Sequence, residues 1–346
     1  MQSTQVKLQP ASDRSVLRTS CALAGRSDQA FYLLVKVPAA VKTALGSLLV
    51  LTLGACSATA VTPATQSAPL LVQVENSANA RPQSGLQNAA IVYEYVTEGG
   101  ISRFSAIYTS TKDGKVGPIR SARLVSIALA RIYGAIVVFS GGSDYIKGQL
   151  QSAGIPHVDE NSANGDLFRD DSRSAPHNLY SDGSHLSDIS AHTSAPSVSW
   201  SLWQRTQATS VTGGKQVART TVPVSDTETP TFAYDTSAGG WKRTEPDTGA
   251  FVDANTHAPL VISTLIVQQV KIEATSKVVD VNGQTGVDHD VTGSGKAQVF
   301  TAGREFDATW TQAATGPPTF STASGQAPIA PGLVWICLVA VGTTTS

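Results

Sequence analysis

The chain has 346 residues, of which 41% are apolar and 15% charged. That is enough apolar material for a substantial core and more length than one domain ordinarily uses, so two domains are expected. Six of its 25 Lys/Arg and two of its 26 Asp/Glu precede Cys56, leaving 19 basic against 24 acidic residues beyond it. This excludes a general nucleic-acid-binding surface and leaves any anion recognition to a local site.

The stretch "VKVPAAVKTALGSLLVLTLGACSATA" has a basic flank at Lys36 and Lys42, an apolar core from Ala44 to Leu53, and small residues just before Cys56. This is the layout of an export signal, and its apolar run is too short to span a bilayer. Residues 1–34 are polar and fit no such signal, which places its effective start near Val35. "LGAC" resembles the lipobox of bacterial lipoproteins, so Cys56 is the expected lipidation site and the membrane the expected partner. With Cys21 ahead of the signal and Cys56 lipidated, Cys337 is left alone in an apolar run, as a buried structural thiol.

Residues 57–68, "SATAVTPATQSA", are small, polar and aperiodic, as in a flexible tether. "PLLVQV", "AAIVYEYV" and "RFSAIYTS" then predict strands rich in Val, Ile and Tyr. "SARLVSIALARIYG" predicts a helix with Ser121 as N-cap and Gly134 as stop. A buried strand, "AIVVFS", leads through "GGS" to a second helix over Asp144 to Ala153. Beyond Ala195 the helical signals cease. Short strand candidates follow, among them "PTFAYD", "WKRT", "LVISTLIVQQV", "KAQVF", "ATWTQ" and "GLVWICLVAV", with turn signals at Asn282-Gly283 and Ala302-Gly303. The expected fold is therefore a two-domain α+β chain. An N-terminal α/β layered domain with a mixed sheet (69–200) precedes a linker (201–215) and a C-terminal all-β barrel or sandwich (216–346).

Seven of the fourteen arginines fall between Arg81 and Arg173, Arg103 among them. Arg120 and Arg123 flank the start of the first predicted helix, where the macrodipole already presents positive charge, so something anionic must compensate. An internal acid (Glu94, Glu98, Asp170 or Asp171) and an anionic ligand are both open. Gly141, Gly142 and Ser143 form a strand-to-helix turn whose N–H groups can hold a phosphate or carboxylate, or which is simply a tight turn capped by Ser143. It is no nucleophile elbow, since position 145 is Tyr. Glu94 and Glu98, about 13 Å apart on an extended strand, are beyond either glycosidase separation. His185 with His192 and "DHD" at 288–290 match no zinc pattern; no metal and no cofactor is expected.

"FRDDSRSAPHNLY", Phe168 to Tyr180, is predicted to be a loop. Arg169 and Arg173 can fork to an anion, Asn178 can orient it, and His177 can transfer a proton near neutral pH. The alternative is an ordered loop pinned to its own domain by Arg–Asp pairs.

"ARPQSGLQNAAIVYEYVTEGGISRFSAIY", "VGPIRSAR", "VFSGGS", "FRDDSRSAPHNLY" and, further on, "FAYDTSAGGWKRTEPDTGAFVDANTHAPL" and "GLVWICLVAV" resemble, in order and spacing, the YerB-like family of bacterial lipoproteins. The resemblance runs from Pro69 to Ala340 and implies an extracytoplasmic two-domain lipoprotein, with no established reaction. "VEN" at Val74 to Asn76 departs from the family's more usual Ile-Asp-Asn and moves a carboxylate by one methylene. Three functions follow as expectations. The first is binding of an anionic envelope ligand through Arg103, Arg120, Arg123, Gly141 to Ser143, Arg169, Arg173, His177 and Asn178. The second is an envelope hydrolase or transferase with His177 as general base, and the third a scaffold whose Trp241 or Trp310 anchors a protein partner.

Overall fold

The computed structural model describes residues 66–346 except 247 and 248, so the export signal, Cys56 and most of the tether lie outside the described residues. Three strands, β1 (Leu70–Glu75), β2 (Ile91–Val96) and β3 (Ser102–Tyr108), open the fold. β3 pairs antiparallel with both β1 and β2. Then come α1 (Leu124–Tyr133), β4 (Ile136–Val138), α2 (Asp144–Ser152) and β5 (His157–Val158). β4 and β5 add to β1 in parallel, giving the mixed sheet expected of the first half. β6 (Leu179–Asp182) and α3 (Gly183–His192) follow, with the Asp182 carboxylate capping α3 by accepting from the N–H groups of Ser184 and His185.

Among the described residues the second half is all β apart from one short 3-10 turn, as read, but it does not build a separate barrel or sandwich. β7 (Thr231–Asp235) and β8 (Gly240–Glu245) belong to a small four-stranded sheet. β9 (Thr264–Val278) pairs with β10 (Thr285–Asp290) and with β11 (Ser294–Thr301), which carries β12 (Arg304–Thr311). The last strand, β13 (Val334–Ala340), lies parallel between β9 and β2. One 13-stranded sheet therefore runs through both halves. Nothing local in the sequence specifies that junction, because the partners Glu94 and Cys337 are far apart along the chain.

Strand alternation sorts the side chains between two cores. One face of the sheet buries Val72, Val74, Phe104 and Trp335 against α3 and the small sheets, one of which supplies Trp241. The other buries Leu71, Tyr93, Tyr95 and Ile107 against α1, α2, Trp200 and Trp203. Trp241 and Trp310 are both fully buried, which corrects their assignment as exposed anchors for a partner: each fills one of these two cores. Cys337 is buried in β13, as expected of a structural thiol.

Candidate functional site

The alternation that sends Val72 and Val74 to one core turns Gln73 and Glu75 toward α1, and it does the same for Tyr95, Arg103 and Ser105. Gln73 Oε1 accepts from Tyr95 Oη (2.9 Å), Ser105 Oγ (3.1 Å) and Ser126 Oγ (2.8 Å), tying three strands to the helix. α1 begins at Leu124 with Arg123, not Ser121, as N-cap. The hydroxyl that serves this end is Ser126 Oγ, which accepts from the Arg123 N–H at 3.0 Å. Ser121 instead offers its carbonyl to Arg103 Nη1 at 3.0 Å.

Arg103, Arg120 and Arg123 thus gather at the start of α1, beside the carboxyl ends of the parallel strands β1 and β4, where open α/β sheets hold ligands. Arg123 is buried and donates through Nε to Glu98 Oε2 at 2.7 Å and through Nη2 to Glu98 Oε1. Burial works against ionisation of Glu98, but the Arg123 hydrogen bond and charge outweigh it and hold the carboxyl below its usual range. Gly99 and Gly100, both at positive φ, turn the chain so that Glu98 reaches Arg123. Glu94 points the opposite way, to the other core, so the two glutamates share no site. Burial and the neighbouring Arg123 push the Arg103 guanidinium down to about 10. Nε of Arg103 is enclosed without a partner. Arg120 Nε is in the same state: it lies 3.4 Å from Glu75 Oε2, close enough for charge attraction but without hydrogen-bond geometry.

Gly141 to Ser143 stand next to these cations. Ser140 N–H donates to the Arg120 carbonyl at 3.0 Å. A Cβ on Gly141 would lie 3.3 Å from Ser121 Oγ, so the turn is seated against the arginine segment. The Gly141 N–H already donates to a carboxylate, Glu160 Oε2, at 3.2 Å. Ser143 caps α2 by accepting from Ile146 N–H, and its Oγ donates to the Val278 carbonyl at 2.6 Å.

"FRDDSRSAPHNLY" is a hairpin in which Phe168–Arg169 pair with β6. Asp170 N–H donates to the Asn178 carbonyl, Arg169 Nη1 to Asn178 Oδ1 at 2.7 Å, and Asn178 Nδ2 to the Arg173 carbonyl. Lys115 holds the Asp170 carboxyl far below its usual range from 2.5 Å. Arg173 donates to the carbonyls of Ala80 (2.6 Å) and Pro82 (2.7 Å). Arg169, Arg173 and Asn178 therefore serve the hairpin and its docking, and of this stretch His177 alone touches the arginine cluster, through Glu75. His177 Nδ1 lies 3.0 Å from both Glu75 oxygens, and Glu75 Oε1 also accepts from Ser77 Oγ. Arg173→Ala is expected to lower stability by about 1–3 kcal/mol, since two charge-assisted bonds to buried carbonyls are lost. Denaturant unfolding of the variant checks this.

Glu75 was legible only as the departure from Ile-Asp-Asn; its place as the carboxylate between Arg120 and His177 required the fold. Glu160 carried no sequence signal. Among the described residues no cluster of His, Cys, Asp and Glu could hold a metal ion.

Two family models match the chain, those described as protein of unknown function (DUF3048), N-terminal domain over residues 57–197 and C-terminal domain over residues 220–336. The chain is 29% identical to "Putative lipoprotein YerB" of Bacillus subtilis (strain 168) over 279 residues, covering 80% of this chain and 82% of that protein. It superposes on the crystal structure of YerB protein from Bacillus subtilis with a TM-score of 0.67 at 25% identity, covering 82% of this chain and 94% of the other. The matched segments include the strands that carry Glu75 and Arg103, the turn that carries Glu98, the start of α1 and the docked hairpin, and by them the chain belongs to the YerB-like DUF3048 family.

Proposed function

We propose that the chain is a membrane-anchored extracytoplasmic lipoprotein, held through Cys56, that binds an anionic cell-envelope ligand at the start of α1. The "LGAC" sequence and the printed name of the Bacillus subtilis relative support the anchor. The observation that carries the binding reading is a pair of enclosed guanidinium Nε groups without hydrogen-bond partners, on Arg103 and Arg120, the second facing Glu75 at 3.4 Å. Enclosed donors of this kind are costly unless something accepts from them, and a phosphate or carboxylate would. Arg123 and the Gly141 to Ser143 turn complete the positive surroundings, and the Glu160 carboxylate on Gly141 marks where an incoming anion would exchange. The site narrows to Arg103, Arg120, Arg123, Gly141, Gly142 and Ser143, with His177 at its edge.

A second reading, an envelope hydrolase, draws on one geometry: Glu75 on Nδ1 orients His177 as a base is oriented in hydrolytic sites. Among the described residues no nucleophile is placed beside His177, so this reading ranks second. Isothermal titration of the full chain with inorganic phosphate and with acetate tests the binding reading. Arg120→Gln is expected to weaken phosphate binding about tenfold or more, with only a modest fall in melting temperature, because Glu75 loses the Arg120 charge but keeps His177 and Ser77 Oγ. Failure of wild type to bind either anion would overturn the reading. Envelope-glycan turnover lost in His177→Ala would promote the second.

A further inference from the structure

The β9–β10 hairpin of the second half leans over the turn that completes this site. Val279 at its tip is buried with the α1 and α2 core, and its N–H donates to the Gln284 carbonyl at 2.9 Å. Val278 and Val281, on either side of the buried pair Val279 and Asp280, are 40% and 70% exposed. These are two of the four large apolar side chains exposed among the described residues. Val281 lies on the outer side of the Gly141 turn, since a Cβ on Gly141 would lie 3.9 Å from Val281 Cγ1 and 3.3 Å from Ser121 Oγ. The hydrogen bond from Ser143 Oγ to the Val278 carbonyl fixes the hairpin there. Between them lies a cavity of about 440 Å³, lined by Gly142, Ser143, Tyr145, Val278, Val281 and Gly283.

Two acids also border this cavity, and neither makes it a cation site. The Asp280 carboxylate is taken by its own turn, accepting from the N–H groups of Asn282 (3.0 Å) and Gln284 (2.7 Å). Asp144 occupies the first turn of α2, where negative charge offsets the helix dipole. Lys277 stands over the Tyr145 ring at 5.8 Å and adds a cation at the rim. An apolar ledge at Val278, Val281 and the Tyr145 ring thus stands beside the turn that is seated, through Ser140 and Gly141, against the Arg120–Ser121 backbone. An anion with no apolar part would leave that ledge in water.

We infer that the site takes an amphiphilic anion, a phosphate monoester or diester on an alkyl or prenyl chain, with its head at the arginines and the first carbons of its chain along Val278, Val281 and Tyr145. This rests on the anion-binding reading above. A membrane-anchored protein meets such molecules as lipid headgroups, and soluble alkyl phosphates carry the same chemistry.

The test uses the full chain with Cys56→Ser, so that no acyl chains of its own compete, titrated calorimetrically with inorganic phosphate and with ethyl, butyl and hexyl phosphate. Affinity is expected to rise about two- to fourfold per added methylene. Val281→Ser, at an exposed position, should flatten that series and leave inorganic phosphate binding unchanged. Hexyltrimethylammonium should not bind. Co-flotation with phosphatidylcholine vesicles containing phosphatidic acid separates the sources: capture marks the membrane lipid and its absence the soluble ester, and hexyl phosphate binding upholds the inference in either case. A flat series with phosphate still bound overturns this inference and spares the anion reading. No binding of any phosphate overturns both, and equal binding of hexyltrimethylammonium overturns the inference by showing that the ledge acts without the arginines.

Discussion

Arg243→Met is expected to cost about 3–5 kcal/mol of stability, the loss typical of removing one partner from a buried ion pair. The Arg243 side chain is wholly buried; it donates through Nη2 to Glu94 Oε1 at 2.5 Å and through Nη1 to Glu245 Oε1. Four rings surround its guanidinium, with centroids at 4.6 Å for Phe251, 5.6 Å for Phe104 and Trp335, and 6.0 Å for Phe232. In so apolar a setting the charge is tolerable only because both carboxylates answer it. Glu245 would retain Arg81 at 3.2 Å, and Glu94 would retain the indole N–H of Trp335 at 2.9 Å and Ser102 Oγ at 3.0 Å, but Glu94 would have no cation. Chemical denaturation of wild type and variant measures the loss. Combining Arg243→Met with Glu94→Gln and Glu245→Gln should recover much of it, because neutral amides need no counter-charge. An unchanged midpoint in the single variant would overturn this account.

Acidification from pH 7.5 to 4.5 should destabilise the wild type by a further amount that disappears in His289→Phe. His289 on β10 is 2% exposed, stacked edge-on against Tyr95 at 5.5 Å, and neither ring nitrogen has a hydrogen-bond partner. Burial alone pushes its imidazole down to about 4 from 6.5. The folded state therefore binds this proton more weakly than the unfolded chain does. The stabilisation is fully present above about pH 6.5 and is lost as the pH falls toward 4, by about 3 kcal/mol at most. Parallel pH profiles of the unfolding free energy in wild type and His289→Phe would sink this account. The loss would loosen the β9–β10 hairpin first, since His289 is paired with Ile272 within it.

Much of the secondary structure was legible because its signals are local. Ser143 before α2 and Gly134 after α1 act as caps in the structure as in the sequence, and the Val- and Ile-rich runs are strands. The start of α1 was misplaced by two residues because its terminal hydroxyl contact comes from inside the helix, where Ser126 accepts from the N–H of the N-cap Arg123, and no pattern at Ser121 could reveal it. The arginine cluster was half legible. An unfavourable placement of Arg120 and Arg123 at a helix start could be read from spacing, but the identity of their counter-charges depended on which way each strand residue faces. Glu98 follows the positive-φ turn to Arg123, Glu75 lies one alternation beyond Gln73, and Glu94 falls on the other face. Arg169 and Arg173 resemble ligand forks in sequence; carbonyl groups from distant turns and a neighbouring Asn occupy them in space.

The position of β13 has a consequence for how the protein comes into being. A strand ending at Ala340 fills the middle of a sheet whose other central members were made much earlier. Until that segment is in place, β2 and β9 present open edges, and Glu94 lacks Trp335 and Cys337 beside it. The chain therefore cannot finish folding piecemeal as it is made. It must be kept from pairing with neighbours until its final stretch arrives, which makes late-stage truncation a failure of assembly and not the loss of a tail.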